Sequence, residues 1–533
     1  MKSSWKAVFV GIAAVLCLSS PAAGEEWIIL GTRALGMGGA GVAVADDATA
    51  PHWNPAALTR RPGLDVEIPV GVNVGAEGGI IKTADEVYDA VTEINLEQKL
   101  STLERDTATY NEKAAALQDI LSTLNSVPDL DREGQGALAD AYGGLLIRYQ
   151  NFGFSVAGLG YGAVDPYVNL DIASGWNLVG GLLGTVDVEA QFEQLFGTDL
   201  DSLTNTPSTQ AGVQLASNIA DSLQTIDSSL TDTEAANAAN ELVFQAEQAE
   251  LDLSDPTIQT IIQNIAQGTG EATAANGGNG GASALANTNG AEADVFDDSA
   301  GVVIKALMIT EYRGSYARSF YDEKLAVGVN LKALEGETHY RKYSMRDLEK
   351  GEDLIDDITD EKNTKTTSQF DADIGILYTP FEKLSLGLTA KHLASPEFEF
   401  AAGSGVDPVK LEPQVRLGVA LRPFRSLTLA ADTDLTTNES EILDGYKSRQ
   451  LGVGLEWMPF GFIALRVGGY NNMESDETGW VYTGGLGLRI WKLGFDVSGA
   501  MAADEQEIGA GDDRVKIRDR YSFAAVLKFS TAF

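Results

Sequence analysis

From Tyr521 to Phe533 the side chains alternate in character with a period of two. Tyr521, Phe523, Ala525, Leu527, Phe529, Thr531 and Phe533 share one side, and Ser522, Ala524, Val526, Lys528, Ser530 and Ala532 the other. An aromatic, apolar face backed by a small or polar face is the pattern of a strand that spans a membrane as part of a barrel. The same alternation recurs upstream. On 427–435, Leu427, Leu429, Ala431, Thr433 and Leu435 share one face, with Asp432 and Asp434 on the other. On 451–457, Leu451, Val453, Leu455 and Trp457 oppose Glu456, and Ile463, Leu465 and Val467 oppose Arg466. A charge facing lipid at mid-membrane costs about 2–4 kcal/mol, so the apolar parity is assigned to lipid. The lumen then receives Asp371, Asp373, Lys391, Arg416, Asp432, Asp434, Glu456, Arg466, Arg489, Asp496 and Lys528. Both signs occur, so these groups either brace a filled barrel through ion pairs or guide a solute.

Joints between strands repeat. Pro380-Phe381, Pro423-Phe424 and Pro459-Phe460 each separate two alternating runs, and are read as tight turns because proline cannot donate to a central ladder. Shorter joints are predicted at 321–324, 491–492 and 150–151. Between them lie long polar segments near 336–366, 396–411, 436–447, 471–479 and 503–515. The result is an antiparallel barrel of about fourteen strands, starting near about 64, 140, 152, 302, 323, 366, 383, 412, 425, 447, 461, 479, 492 and 517, with short turns on one rim and long loops on the other. Two larger insertions interrupt it, at 77–139 and 165–300. Val87, Val91, Ile94, Leu96, Leu100 and Leu103, then Leu117, Ile120, Leu121 and Leu124, form helical stripes in the first, as do Val213, Leu215, Ile219, Leu223, Ile226 and Leu230 in the second. Both insertions are expected to cap the long-loop rim, and 267–300, rich in Gly, Asn, Ala and Thr, is expected to be disordered.

Composition narrows the class. The formal net charge is -39, from 77 acidic and 38 basic residues, which excludes nucleic acid as a partner. No Lys or Arg occurs between Arg148 and Lys305. Mean hydropathy is near zero, at -0.07, as alternating strands require. Lys2, Lys6 and the apolar run Ala7–Leu18, followed by Pro21-Ala22-Ala23-Gly24, predict a signal peptide over 1–24. The single cysteine, Cys17, would leave with it. With three histidines, His52, His339 and His392, and no G-x-S-x-G elbow, neither an enzyme nor a metal site is expected, and no cofactor.

Gly36-Met-Gly38-Gly39-Ala-Gly41 fits G-x-G-x-x-G, but no strand precedes it and strand-like alternation follows, so a dinucleotide site is not predicted. The longer string from Gly31 to Leu58, with Gly36, Gly38, Gly39, Gly41, Asp46-Asp47 and Trp53-Asn54-Pro55-Ala56, resembles the opening of FadL-superfamily outer-membrane proteins. Leu411–Gly418, Leu427–Leu435, Leu451–Glu456 and Leu465–Tyr470 resemble the branch of conjugal transfer TraF-type proteins. The resemblance covers roughly 25–76, 140–164 and 300–533. It implies a fourteen-stranded barrel over 64–533 closed by an N-terminal hatch over 25–63, in the outer membrane of a Gram-negative cell. It also implies passive passage of hydrophobic or amphipathic solutes, with long-chain fatty acids the best-known cargo. Gly36, Gly38, Gly39, Gly41, Asn54 and Pro55 are the hatch or gating candidates. Phe529 and Phe533 resemble the terminal signal read by barrel-assembly machinery. The other reading is a plugged barrel that docks other envelope proteins of a conjugation or secretion apparatus.

Overall fold

A computed structural model describes residues 22–23, 25–83, 96–105, 107–122, 132–168, 188–256, 258–263, 265–266, 300–344, 361–475, 479–508 and 515–531. Fourteen strands close an antiparallel barrel. They are β1 (Leu64–Glu77), β2 (Gly136–Tyr149), β3 (Phe152–Val168), β4 (Ala300–Phe320), β5 (Leu325–Ser344), β6 (Thr364–Phe381) and β7 (Leu384–Lys391), then β8 (Gln414–Phe424), β9 (Leu427–Asp434), β10 (Gln450–Trp457), β11 (Ile463–Asn472), β12 (Val481–Ile490), β13 (Leu493–Ala502) and β14 (Arg520–Ser530). Each strand pairs with its neighbours in the chain. The barrel closes where β14 meets β1, in register from Asp65 with Ser530 to Gly75 with Arg520. Strand number and order match the reading of the sequence, and no start departs from it by more than four residues (Gly136 against 140).

The wall obeys the alternation. Ile68, Val70, Val72 and Val74 of β1 and Tyr521, Phe523 and Leu527 of β14 are exposed to the outside, while Asp65, Glu67 and Lys528 are buried within. On β5 the exposed outer band ends at Leu331, and Glu335 and Glu337 follow. About 9–11 residues of tilted strand cross a bilayer. β4, β5 and β6, of 21, 20 and 18 residues, therefore rise beyond it on the long-loop side. No helix among the described residues is long and apolar enough to cross a membrane. This is an all-β membrane protein.

One detail of the joints differs from expectation. Pro380-Phe381 and Pro423-Phe424 end β6 and β8 rather than forming the turn, and the register shifts between Tyr378 and Phe381 and between Leu421 and Phe424. A bulge leaves a backbone position unpaired, so proline is accommodated inside the strand end. Pro459-Phe460 does lie in the turn.

The insertions fold together. α3 (Leu96–Glu104) and α4 (Tyr110–Ser122) come from the first, and α5 (Val188–Phe196), α6 (Gln210–Ile226) and α7 (Asp232–Gln248) from the second. One apolar core joins Leu117, Ile120 and Leu121 to Phe192, Ile219, Leu223, Leu242 and Ile261, and among the described residues it draws in none from the barrel. The capping box of Thr231 with Glu234 opens α7, and Thr209 caps α6 through Gly212 N–H. Residues 84–95 and Leu124 of the helical periodicity expected over 83–125, the tract 267–299 and Phe533 lie outside the described residues.

Candidate functional site

Residues 25–63 occupy the lumen from rim to rim. Glu25 accepts hydrogen bonds from the Ser440 hydroxyl (2.7 Å) and from Glu441 N–H (3.0 Å) in a long loop. At the other end, Gly63 C=O accepts from Gln150 N–H in a short turn. The segment cannot join the ladder because it is broken repeatedly. α1 (Thr32–Gly36) is a single turn, ended where Gly38 and Gly39 take φ of +65° and +78°. α2 (Ala50–Trp53) carries Pro51 in its first turn and stops at Asn54. Asn54 then caps a 3₁₀ turn, its Oδ1 accepting from Ala56 N–H at 3.0 Å. This helix–turn path is not a dinucleotide loop, which needs a preceding strand.

Glycines on both sides set the fit. A Cβ on Gly38 would collide with the carbonyls of Gly469 and Val453. The facing wall positions Gly452, Gly454 and Gly468 have no room for one either, their limits being the backbone of Met37 and Gly38. Further round the wall, on β5, β6 and β7, Gly328, Gly375 and Gly387 receive Pro55, Asn54 and Val42. Asn54 Nδ2 donates to Ile376 C=O of β6 at 3.0 Å, tying this end of the hatch to the ladder. Gly41 and Val42 N–H both donate to Asp432 Oδ2, at 2.7 Å each.

Charges complete the attachment. Arg33 reaches Glu456 (2.7 Å) and Asp46 (2.9 Å), Glu456 also takes Arg466 (2.8 Å), and Arg466 takes Asp496 (3.1 Å). Asp496 lies 3.7 Å from Lys528, which returns to the hatch at Asp47 (3.1 Å) and to Glu67 of β1 (3.5 Å). The chain of alternating charges therefore leaves the hatch at Arg33 and re-enters it at Asp47. Asp371 and Asp373 share Lys332 (2.5 and 2.6 Å), and Asn330 bridges Asp373 and Pro51 C=O. Arg416 pairs with Asp434 and lies over Trp27, its guanidinium carbon 4.5 Å from the ring centre. Lys391 Nζ stands 3.6 Å from the Trp27 ring centre and 3.3 Å from His52 Nε2. Ten of the eleven lumen charges read from the sequence are thus buried inside, and Arg489 stands half-buried at the short-turn rim. Phe529 lies on the outer face of β14.

Several partners were missed from sequence. Arg33, Asp46 and Asp47 lie in the hatch, where no alternation reveals direction. Glu67, Glu311, Arg313, Lys332 and Arg520 sit on β1, β4, β5 and β14 at inward parity, so the alternation test applied to those strands would have found them. In the hatch, burial works against the charged form of Asp47, but Lys528 and Arg33 hold its carboxyl well below the usual range. Burial and then the Lys391 ammonium push His52 well below its ordinary value, so it stays neutral.

Two features bear on passage. Phe398, Phe400, Val409, Leu411, Ile442 and Leu443, from the loops after β7 and β9, pack on Leu307, Ile309 and Leu334 and fill the long-loop mouth. Beneath them, between the first hatch residues and β1–β3, β11 and β14, lies a cavity of about 40 Å³ that opens to solvent. Among the described residues no cluster of three or more His, Cys, Asp or Glu has metal-binding geometry.

A family model described as the F plasmid transfer operon TraF protein matches residues 51–434. Among solved structures the chain is similar to the Ralstonia pickettii toluene transporter TbuX, at 11% identity and a TM-score of 0.40, over 94% of this chain and 98% of that one. It is also similar to the Pseudomonas putida toluene transporter TodX (9%, TM-score 0.41, 94% and 98%) and to a Pseudomonas aeruginosa FadL homologue (11%, TM-score 0.38, 96% and 98%). No curated protein matches.

Proposed function

The chain belongs to the FadL-like family of TraF proteins of the F plasmid transfer operon, and from that premise we propose that it is an outer-membrane channel for passive entry of hydrophobic or amphipathic solutes. The observation that carries this reading is how the hatch is held. It contributes no strand to the barrel ladder, and it is seated by glycine contacts, side-chain hydrogen bonds and a chain of ion pairs. Such an attachment is released by moving a few side chains, whereas a paired strand would have to break its ladder. The apolar outer belt supports residence in a bilayer.

Opening then consists of undocking the hatch from β10–β12 while the barrel stays closed. The charged lumen wall would be exposed transiently, and solute would pass beside the hatch from the cavity near the long-loop rim. The test is permeability of vesicles holding the full chain against a variant lacking Ala34–Leu58. Faster entry of small solutes in the variant is expected; equal rates would overturn the reading. Mass spectrometry of molecules retained after gentle purification identifies cargo. Fatty acids at near-stoichiometric amounts would name the class, while an empty barrel that brings down envelope proteins would favour the docking reading instead.

A further inference from the structure

We infer that the cavity beneath the long-loop rim is a binding site for a small organic cation, an alkylated ammonium that also carries a hydrogen-bond acceptor. The inference rests on the channel reading and names its solute class.

The carboxylates of this cavity are not all matched by cations. Arg520 faces it, but that guanidinium is held by Glu26 (3.0 Å) and by Glu77. Asp140, on the inner face of β2, has the Asn73 amide as its hydrogen-bond partner (2.6 Å), and among the described residues no Lys or Arg forms an ion pair with it. It is half-buried and lines the cavity. Tyrosines 142, 161 and 470 line the same space. A carboxylate among aromatic rings is the chemistry that recognises an ammonium, by charge and by the ring quadrupole together. An anion would be repelled by Asp140, and a purely apolar solute would leave that carboxylate desolvated with the Asn73 amide as its hydrogen-bond partner.

Trp27 supplies a second, independent requirement. Its side chain lines the cavity at 2% exposure, and its indole N–H has no acceptor among the described residues. Lys391 and Arg416 already occupy positions over the ring, so the indole N–H is the group of this side chain that is left without a partner among the described residues. A buried donor of this kind calls for a hydroxyl, ether or carbonyl oxygen on the molecule that enters. The exterior agrees. No Lys or Arg occurs from Gln150 to Ile304, so the second insertion brings negative charge without positive.

The test compares choline with its neutral carbon isostere, 3,3-dimethylbutan-1-ol, on the full chain in detergent micelles at fixed ionic strength. Binding is read by calorimetry. Choline is expected to bind at least about tenfold tighter than the alcohol. Asp140→Asn should remove most of that preference, and Tyr161→Leu should reduce it. Heat-modifiable gel mobility reports whether each variant keeps its barrel, and Tyr161→Leu decides the question if Asp140→Asn does not fold. Equal or tighter binding of the alcohol, no binding of either compound, or an unchanged preference in a folded Asp140→Asn variant would each overturn the assignment. Vesicle entry separates this from the channel reading. Choline binding without entry upholds the site while removing the channel, and entry of the alcohol without choline binding does the reverse.

Discussion

Arg33 and Glu456 are 423 residues apart in sequence and form a two-point ion pair in the lumen, Nη2 to Oε1 at 2.7 Å and Nε to Oε2 at 3.1 Å. Glu456 is 1% exposed and also holds Arg466. Arg33 is therefore the clasp between the hatch and β10, while Arg466 belongs to the wall alone. Removing one partner of a buried pair costs about 3–5 kcal/mol. Arg33→Ala should loosen the hatch, seen as faster protease cutting within 34–58, with little change in the temperature at which the barrel unfolds. Arg466→Ala strands both Glu456 and Asp496 and should lower that temperature. Equal behaviour of the two variants would mean that clasp and wall are not separable.

The glycine interlock predicts a steric route to the same end. Gly454 has no Cβ to meet the Met37 backbone, and its own strand geometry would accept alanine. Gly454→Ala should therefore spare β10 and displace the segment around Met37, raising solute entry into vesicles. Gly484, on the lipid face of β12 with open space around it, is the control: Gly484→Ala should leave entry unchanged. A silent Gly454→Ala would show that this contact does not seat the hatch.

Protonation sets a third expectation. An undocked His52 titrates at about 6.5. In the docked hatch it is held neutral, its value well below that, so its contribution is present above pH 6.5 and is lost as pH falls beneath it. Asp47 is likewise depressed when docked, so its contribution is lost only beneath about pH 4. Hydrogen exchange of hatch amides should speed up in two stages on acidification, the first below pH 6.5. His52→Gln should abolish the first stage and keep the second. Exchange that stays flat from pH 7 to 5 would contradict the assignment.

Strands were legible because each wall position faces either lipid or lumen, and one misplaced charge is costly enough to fix the parity. Asp432 against Leu429 and Ala431 suffices to orient β9. The hatch offered no such rule. Its motif named Gly38, Asn54 and Pro55, but Arg33 and Asp47 bond to Glu456 and Lys528, hundreds of residues distant, and nothing local announces those partners. The proline joints misled for a related reason: a bulge and a turn both excuse a missing N–H, and sequence does not separate them. Nor did helical stripes reveal that two insertions, separated by β2 and β3, share one core, since each stripe only states that an apolar face is covered.

That shared core makes the final prediction. Glu241 of α7 is fully buried, and it receives the Tyr110 hydroxyl of α4 (2.6 Å), Asn205 Nδ2 (3.0 Å) and Gln245 Nε2 (2.5 Å). Tyr110 comes from the first insertion and the other three from the second, so this carboxylate ties the two together. Glu241→Ala would take this acceptor from the buried Gln245 amide and from the half-buried Tyr110 hydroxyl and Asn205 amide, at about 1–3 kcal/mol for each one not satisfied by water or by another partner. Helical circular dichroism should then melt at a lower temperature, with barrel mobility on gels unchanged because, among the described residues, the helical core contains none from the barrel. Glu241→Gln keeps one acceptor oxygen and should fall between. If the barrel and the helices instead lose stability together, the insertions would be part of the barrel's own folding unit rather than a body carried on its rim.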